Sequence, residues 1–358
     1  MDININELLD RKQIVLENQK IKSFIHNKIV LVTGAGGSIG SELCRQIASF
    51  EPKELVMLDI YENTLYEVDI ELRRNYPMLE LKTIIASIRD VKRIDEIFNE
   101  YKPELVFHAA AHKHVPLMET SPIEAIKNNV FGTLNVAKTA DKYNVDKFIL
   151  VSTDKAVNPT SIMGATKRIC EMIIQMVNAK SNTNYVAVRF GNVLGSHGSV
   201  IPIFKKQIEQ GGPVTLTDKN ITRYFMTISE AVGLILQAIT FAEGGEIFVL
   251  DMGKQVKIYD LAVKLINMYG YEVDKDIRIE ITGLRSGEKL YEELIINEEG
   301  LTKTLHEKIF VTKIMDYDRV KVKEEVEKLR ELVNSKKEVT KEEIKKVLKE
   351  IVPTYKEG

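Results

Sequence analysis

Tryptophan is absent from the 358 residues, cysteine occurs twice, and neither sign of charge dominates, with 50 basic against 52 acidic residues. A formal charge of -2 gives no global attraction to nucleic acid or to an anionic membrane, so any anionic ligand has to be held by local groups. Cys44 and Cys170 lie far apart on predicted helices without Cys-x-x-Cys spacing. That excludes a disulfide framework and predicts reduced core thiols in a cytoplasmic protein. No apolar run approaches the roughly 20 residues that span a bilayer. The opening "MDININELLDRKQ" has neither the basic start nor the apolar core of a signal peptide. The expectation is a soluble protein retained in the cell, with no nucleic-acid partner and no membrane insertion. What is present, 44% apolar and 28% charged residues, suffices to bury a sizeable core in about two domains.

Short β-branched runs, "KIVLVT", "ELVMLD", "LKTIIA", "ELVFHAA", "KFILVS" and "YVAVRF", are each followed by an amphipathic segment. Such alternation predicts βαβ units and an α/β fold with a Rossmann-like, doubly wound parallel sheet. Beyond about Arg189 the pattern is mixed, which predicts a smaller mixed α/β lobe beside the sheet. Two charged terminal helices, "RVKVKEEVEKLRELV" and "KEEIKKVLKEI", read as solvated faces. The division expected is a polar, partly helical extension over 1–27 and a nucleotide-binding unit over 28–192, its sheet completed by 229–252. A lobe over 193–228 and 253–358, terminal helices included, makes up the rest.

In "VTGAGGSIGSEL", Gly34, Gly37 and Gly40, with Ser38 and Ile39 between the last two, follow a strand and open a helix. Glycines permit the tight turn and the close approach of backbone to a pyrophosphate, which the helix N-terminus attracts through its unpaired N–H groups. Asp59 ends the next strand nineteen residues after Gly40. That is the place of a carboxylate that bonds a ribose 2′-hydroxyl and repels a 2′-phosphate, so NAD is expected over NADP. His108, His112 and His114 in "FHAAAHKHVPLME" invite a metal reading, but no carboxylate cluster completes a site and no metal is expected. Ala109, Ala110 and Ala111 at the strand's end suit close passage of a cofactor. Lys113 and His114 are candidates for the substrate pocket.

These features, with Asn129 in "NNVFGT" and Lys167 on the helix after the fifth strand, resemble an extended short-chain dehydrogenase/reductase. More narrowly, "STDKAVNPTSIMGATKR", "VRFGNVLGSHGSVIP", "TRYFMTISEAV" and "LRSGEKLYEEL" resemble the UDP-N-acetylglucosamine 4,6-dehydratases of bacterial polysaccharide and glycan biosynthesis. The likeness runs from about residue 8 to 315. It includes a lead-in seen in members whose catalytic part follows membrane helices, so a freestanding soluble form is expected. The resemblance implies NAD contacts at Asp90 and Asn129 besides the glycine turn, with Lys167 on the nicotinamide ribose. For the UDP group it implies Asn192, Arg223, Arg285 and Glu288, with Ser286 standing where proline is frequent. A tyrosine four residues before the lysine is the superfamily's proton-transfer group; here that position is Met163, the mark of a group that retains configuration at C5. A homo-oligomer, dimer or higher, is implied as well, since helices four and five of this superfamily often form a dimer interface.

Dehydration across C5 and C6 of a hexose becomes accessible once C4 is a ketone, because the C5 hydrogen is then α to a carbonyl. The site needs a hydride carrier, one base and one acid around a sugar fixed by its nucleotide. The triplet Thr153, Asp154 and Lys155 meets that demand, with Asp154 as acid toward the C6 hydroxyl and Lys155 as C5 base. Free side chains titrate near ~3.9 and ~10.4, so each must hold its less usual state. Burial acts in that direction for both, and Lys167 is expected to depress Lys155 further. Neighbours on a regular strand point to opposite faces, so the chain must turn here. Thr153 is where the resemblance places a hydroxyl on the C4 oxygen, and Met163 is expected to pack beside nicotinamide or sugar. Three alternatives stay open: a UDP-sugar 4-epimerase, a C5-inverting dehydratase, and a non-catalytic NAD-binding regulator.

Overall fold

A computed structural model describes residues 14–295, 300–312 and 318–357. Residues 1–13 of the expected extension lie outside the described residues; its remainder holds helix α1 (Asn18–Ile25). Strand and helix then alternate through β1 (Ile29–Thr33), α2 (Ser38–Ser49), β2 (Glu54–Asp59), α3 (Glu62–Asn75), β3 (Glu80–Ile85), α4 (Val91–Tyr101) and β4 (Leu105–His108). Next come α5 (Val115–Thr120), α6 (Pro122–Ala125), a π-helical stretch Ile126–Gly132, α7 (Thr133–Lys142), β5 (Lys147–Val151), a 3-10 turn Asp154–Ala156, α8 (Ile162–Asn178) and β6 (Asn184–Arg189). The later elements are β7 (Asn192–Val193), α9 (Val200–Glu209), β8 (Val214–Leu216), β9 (Thr222–Arg223), β10 (Phe225–Met226), α10 (Ile228–Ala238) and β11 (Ile247–Leu250). They continue with β12 (Val256–Lys257), α11 (Ile258–Met268), β13 (Ile279–Ile281), β14 (Leu301–Lys303), β15 (Ile309–Thr312), α12 (Arg319–Val333) and α13 (Lys341–Ile351).

Nine strands form the central sheet in the order β14-β15-β11-β6-β5-β4-β1-β2-β3. All pair in parallel from β3 to β11, and β15 and β14 add antiparallel. Both faces are covered over the central strands β1, β2, β4, β5, β6 and β11, which is why these are largely apolar, whereas the edge strand β3 alternates. Val30 and Val32 of β1 pack with α1, α2 and α10, while Leu31 between them joins α4, α7 and α8 on the other face. The fold class is the expected α/β, doubly wound one. Strand order reverses between β1 and β4, and a ligand crevice opens at such a switch point beyond the strands' C-terminal ends. A smaller core of Ile201, Phe204, Val214, Leu216, Leu261 and Leu265 joins α9, β8 and α11 into the lobe.

The last part of the chain departs from the expected division. Residues 301–312 extend the central sheet as β14 and β15, closing the edge that β11 would otherwise expose. The hairpin of α12 and α13 packs against α8 and the π-helical stretch, not against the lobe: Val322, Leu329, Ile344 and Leu348 share a cluster with Val130, Ile169 and Ile173. The reason lies in α8, where every residue from Ile162 to Gln175 is buried. A helix buried all round needs cover on every side, and the apolar stripe of the charged hairpin supplies part of it.

Candidate active site

The β1–α2 turn is a cradle that admits no side chains. Gly34 has φ +72°, and a Cβ there would lie 2.6 Å from the Ala110 nitrogen, so this turn and the end of β4 interlock. A Cβ on Gly40 would collide with the Gly34 carbonyl. Gly37 caps α2 and Ser38 and Ile39 open it, which directs that helix N-terminus into the crevice. Asp59 Oδ2 accepts from the Gly36 N–H at 2.8 Å and Oδ1 from the Tyr61 N–H at 3.0 Å. Gly36 was not singled out from the sequence, yet a Cβ there would lie 2.5 Å from Thr64 Oγ1 and 3.2 Å from Asp59 Oδ2. Glycine turn, small alanines and strand-end carboxylate together fit a dinucleotide.

Other residues expected at the cofactor make contacts within the chain. Asn129 Oδ1 accepts from the His112 N–H at 2.8 Å, and its Nδ2 donates to the His112 carbonyl at 3.0 Å and to Thr166 Oγ1 at 3.1 Å. Its amide thus clamps the loop after β4 to α8. Asp90 caps α4 by accepting from the Arg93 N–H at 3.0 Å. His108 is buried between the Thr33 and Thr133 hydroxyls, and burial pushes its imidazole down to about 3. His114 packs against Gly198, which has φ +69° and no Cβ to obstruct it. Among the described residues, no three His, Cys, Asp or Glu are arranged to hold a metal ion, and no helix is long and apolar enough to cross a membrane.

Beyond β5 the chain makes the turn that the chemistry requires. Thr153 caps the 3-10 turn, its Oγ1 accepting from the Lys155 N–H at 3.4 Å. Asp154 and Lys155 therefore converge instead of facing apart: Lys155 Nζ donates to Asp154 Oδ1 at 3.1 Å and to Asn192 Oδ1 at 3.2 Å. Thr153 Oγ1 donates to the same Asp154 oxygen at 2.9 Å. Asp154 is fully buried, and its Oδ2 has no hydrogen-bond partner among the described residues. Burial, aided by nearby Glu292, pushes its carboxyl above the usual range.

Lys155 behaves against expectation. Burial alone would lower it, but Asp154 and Glu292 outweigh burial and hold the ammonium above its ordinary value. Lys167, expected to depress it, donates instead to the Val151 carbonyl at 2.8 Å, and burial lowers its own proton affinity. Met163 is 2% exposed and belongs to the apolar cluster of Met118, Ile126 and Ile169. It therefore sits in the core rather than on the lining of the cleft.

A cleft of about 150 Å³ opens beside this turn, lined by Lys155, Asn192, Arg223, Arg285, Glu288 and Glu292 among others. Arg223 is buried on β9, donating through Nη1 to the carbonyls of Thr222 at 2.7 Å and Leu290 at 3.2 Å. Glu288 Oε1 accepts from Thr217 Oγ1 at 3.1 Å and stands 3.7 Å from Arg223 Nη2, while Oε2 accepts from the Arg285 N–H at 3.2 Å. Glu288 thus faces the Arg223 guanidinium and holds the backbone of Arg285. Lys113 and His114 lie outside the lining, just before its Val115 and Pro116.

Residues 30–314 match the family model described as polysaccharide biosynthesis protein. The chain belongs to that family. The capsular polysaccharide biosynthesis protein CapD of Staphylococcus aureus is 53% identical over 322 residues, 89% of this chain. The alignment spans only 54% of CapD, so the chain matches about half that relative's length. The crystal structure of Pen from Bacillus thuringiensis superposes with TM-score 0.74 at 34% identity, covering 81% of this chain and 89% of Pen. At the level of fold, DesIV of Streptomyces venezuelae, a dTDP-glucose 4,6-dehydratase solved with NAD and TYD bound, gives TM-score 0.65 at 21% identity. It covers 75% of this chain and 89% of its own.

Within this polysaccharide biosynthesis family member, sequence reading passed over Glu292. Its motif, "LRSGEKLYEEL", was visible, but a second glutamate in a charged stretch reads as surface. Its burial follows from a fold that brings the segment against Lys155 and Arg223.

Proposed function

We propose that the protein is an NAD-dependent, C5-retaining UDP-N-acetylglucosamine 4,6-dehydratase, forming UDP-2-acetamido-2,6-dideoxy-α-D-xylo-hex-4-ulose for glycan biosynthesis. The observation that carries this reading is the convergence of Asp154 and Lys155, 3.1 Å apart, on the wall of a cleft that also presents Asn192 and Arg223. NAD would be held by the glycine cradle and Asp59, and would supply a hydride acceptor for C4 and a hydride donor for C6. Arg223 and Arg285 receive the diphosphate, for which the guanidinium fork is suited. Thr153 bonds the C4 oxygen, and the hydroxyl proton leaves through it to water. Asp154, whose burial favours the protonated form, then protonates the C6 hydroxyl, which leaves as water. Lys155 takes the C5 proton as the free amine and later restores a proton to C5. The ammonium of the free protein must first lose its proton, and Asp154 Oδ1 is in hydrogen-bond reach to receive it. Met163 has no exchangeable proton, so the route through Thr153 replaces it.

Incubation with UDP-N-acetylglucosamine and NAD in deuterium oxide tests the reading. A retaining dehydratase yields the 4-keto-6-deoxy sugar with deuterium at C5 in the original configuration. An unlabelled C4 epimer identifies an epimerase, the opposite C5 configuration an inverting dehydratase, and unchanged substrate a protein that is not an enzyme for this sugar.

A further inference from the structure

Glu292 is 4% exposed, and one of its carboxylate oxygens, Oε2, has no hydrogen-bond partner among the described residues. The other, Oε1, stands 3.5 Å from Lys155 Nζ and 3.7 Å from Arg223 Nε. A buried carboxylate is expensive unless cations compensate it, and here the two cations come from the two halves of the site. Lys155 rises from the turn after β5, where proton transfer is proposed, and Arg223 from β9, where the diphosphate is proposed. The groups facing Lys155 are Asp154 on its own turn, Glu292 on the segment after Gly287, Arg223 on β9, Asn192 on β7 and Lys113 on the loop after β4. Lys289 adds a further positive charge near Glu292.

We propose that Glu292 is a positioning residue of the dehydration site, its single carboxylate oxygen drawing Lys155 and Arg223 together and fixing the charge that both feel. The inference rests on the dehydratase reading for its kinetic half and on geometry alone for its binding half. Glu292 opposes the loss of the Lys155 proton, and it also favours the protonated form of Asp154. Both limbs of the pH profile are therefore held at higher pH by one group. The same negative charge beside Arg223 weakens the hold of that guanidinium on an anion.

The variant Glu292→Gln keeps the shape and removes the charge. Opposite charges within about 4–6 Å move a pKa by about 1–3 units, so both limbs of the kcat profile for keto-sugar formation shift to lower pH by about one unit or more. UDP, titrated into the protein by calorimetry, binds several-fold more tightly. The variant Glu292→Asp keeps the charge one methylene farther back and shifts both readings less, in the same directions; it replaces the Gln variant if that one does not fold. An unmoved pH profile with lowered kcat assigns Glu292 to packing and overturns the proposal, as does unchanged or weakened UDP binding. If the wild type forms no keto sugar, the dehydratase reading fails by itself, and the UDP titration alone then decides for or against Glu292.

Discussion

Glu171 shows how much charge a single buried residue organises away from the cleft. Its carboxylate accepts from Arg189 Nε and Nη2 at 2.7 Å each, from Ser152 Oγ at 2.7 Å and from Arg168 Nη1 at 2.9 Å. Burial alone would raise its pKa, but Arg189 above all, then Arg168 and Ser152, hold it down to about 2. The folded value lies below the reference of 4.5, so the group's stabilisation is complete above about pH 4.5. It is lost as pH falls from there toward about 2. Glu171→Gln leaves two arginines without their buried carboxylate and should cost roughly 3–5 kcal/mol at pH 7. In urea denaturation the gap between wild type and variant should then narrow at pH 3. A gap that stays constant with pH contradicts the assignment. The sequence displayed Thr153, Asp154 and Lys155 as a chemical triplet, but not the protonation of Lys155. That depends on burial, on Asp154 and then on Glu292, which lies far along the chain and reaches the triplet only through the fold.

Among the elements, the β1–α2 turn was the most legible, because glycine leaves a mark in sequence wherever backbone must approach backbone. The 3-10 turn after β5 was legible only as a requirement, since Asp-Lys-Ala carries no glycine or proline to announce a turn. Its cause is the Thr153 cap and the burial of Asp154 behind it. The π-helical stretch left no mark either, and neither did the clamp that Asn129 forms within it. The glycine turn makes a direct prediction. A Cβ on Gly40 forces the turn apart against the Gly34 carbonyl, and overpacking of this kind costs about 1–3 kcal/mol. Gly40→Ala should therefore weaken NAD binding by at least about fivefold, at about 1.4 kcal/mol per decade. Gly270, at φ +81° with nothing near its missing Cβ, is the control. Its alanine variant carries backbone strain and a lowered Tm, while NAD affinity, followed by fluorescence titration, stays unchanged. Equal losses of affinity in both variants would mean that the cradle is not where NAD binds.

At the scale of the molecule, the terminal hairpin takes a position that composition could not assign. Its charges read as solvated faces, and one side of each helix is so. The other side covers α8 and the π-helical stretch, with Arg330 stacked 4.4 Å over the Phe131 ring and Tyr355 buried at 1% exposure. Two polar ties fasten it near the Asp154–Lys155 turn. Lys341 Nζ meets Glu119 Oε2 at 2.7 Å, Glu119 Oε1 accepts from the Ile162 N–H at 2.8 Å, and the Lys356 N–H donates to the Pro159 carbonyl at 2.9 Å. The segment from Pro159 to Ile162 joins the Asp154–Lys155 turn to the helix bearing Lys167, so hairpin docking and site geometry are linked. Leu348 is fully buried in the shared cluster, and Leu348→Ala should destabilise the docking by about 2–5 kcal/mol. Hydrogen exchange is the measurement that localises the effect. Amides of α12 and α13 should exchange faster, followed by those at the start of α8, while β1, β4 and β5 keep their protection. Uniform acceleration across the sheet would instead show that hairpin and sheet unfold as one cooperative unit, and that docking cannot be lost without the fold.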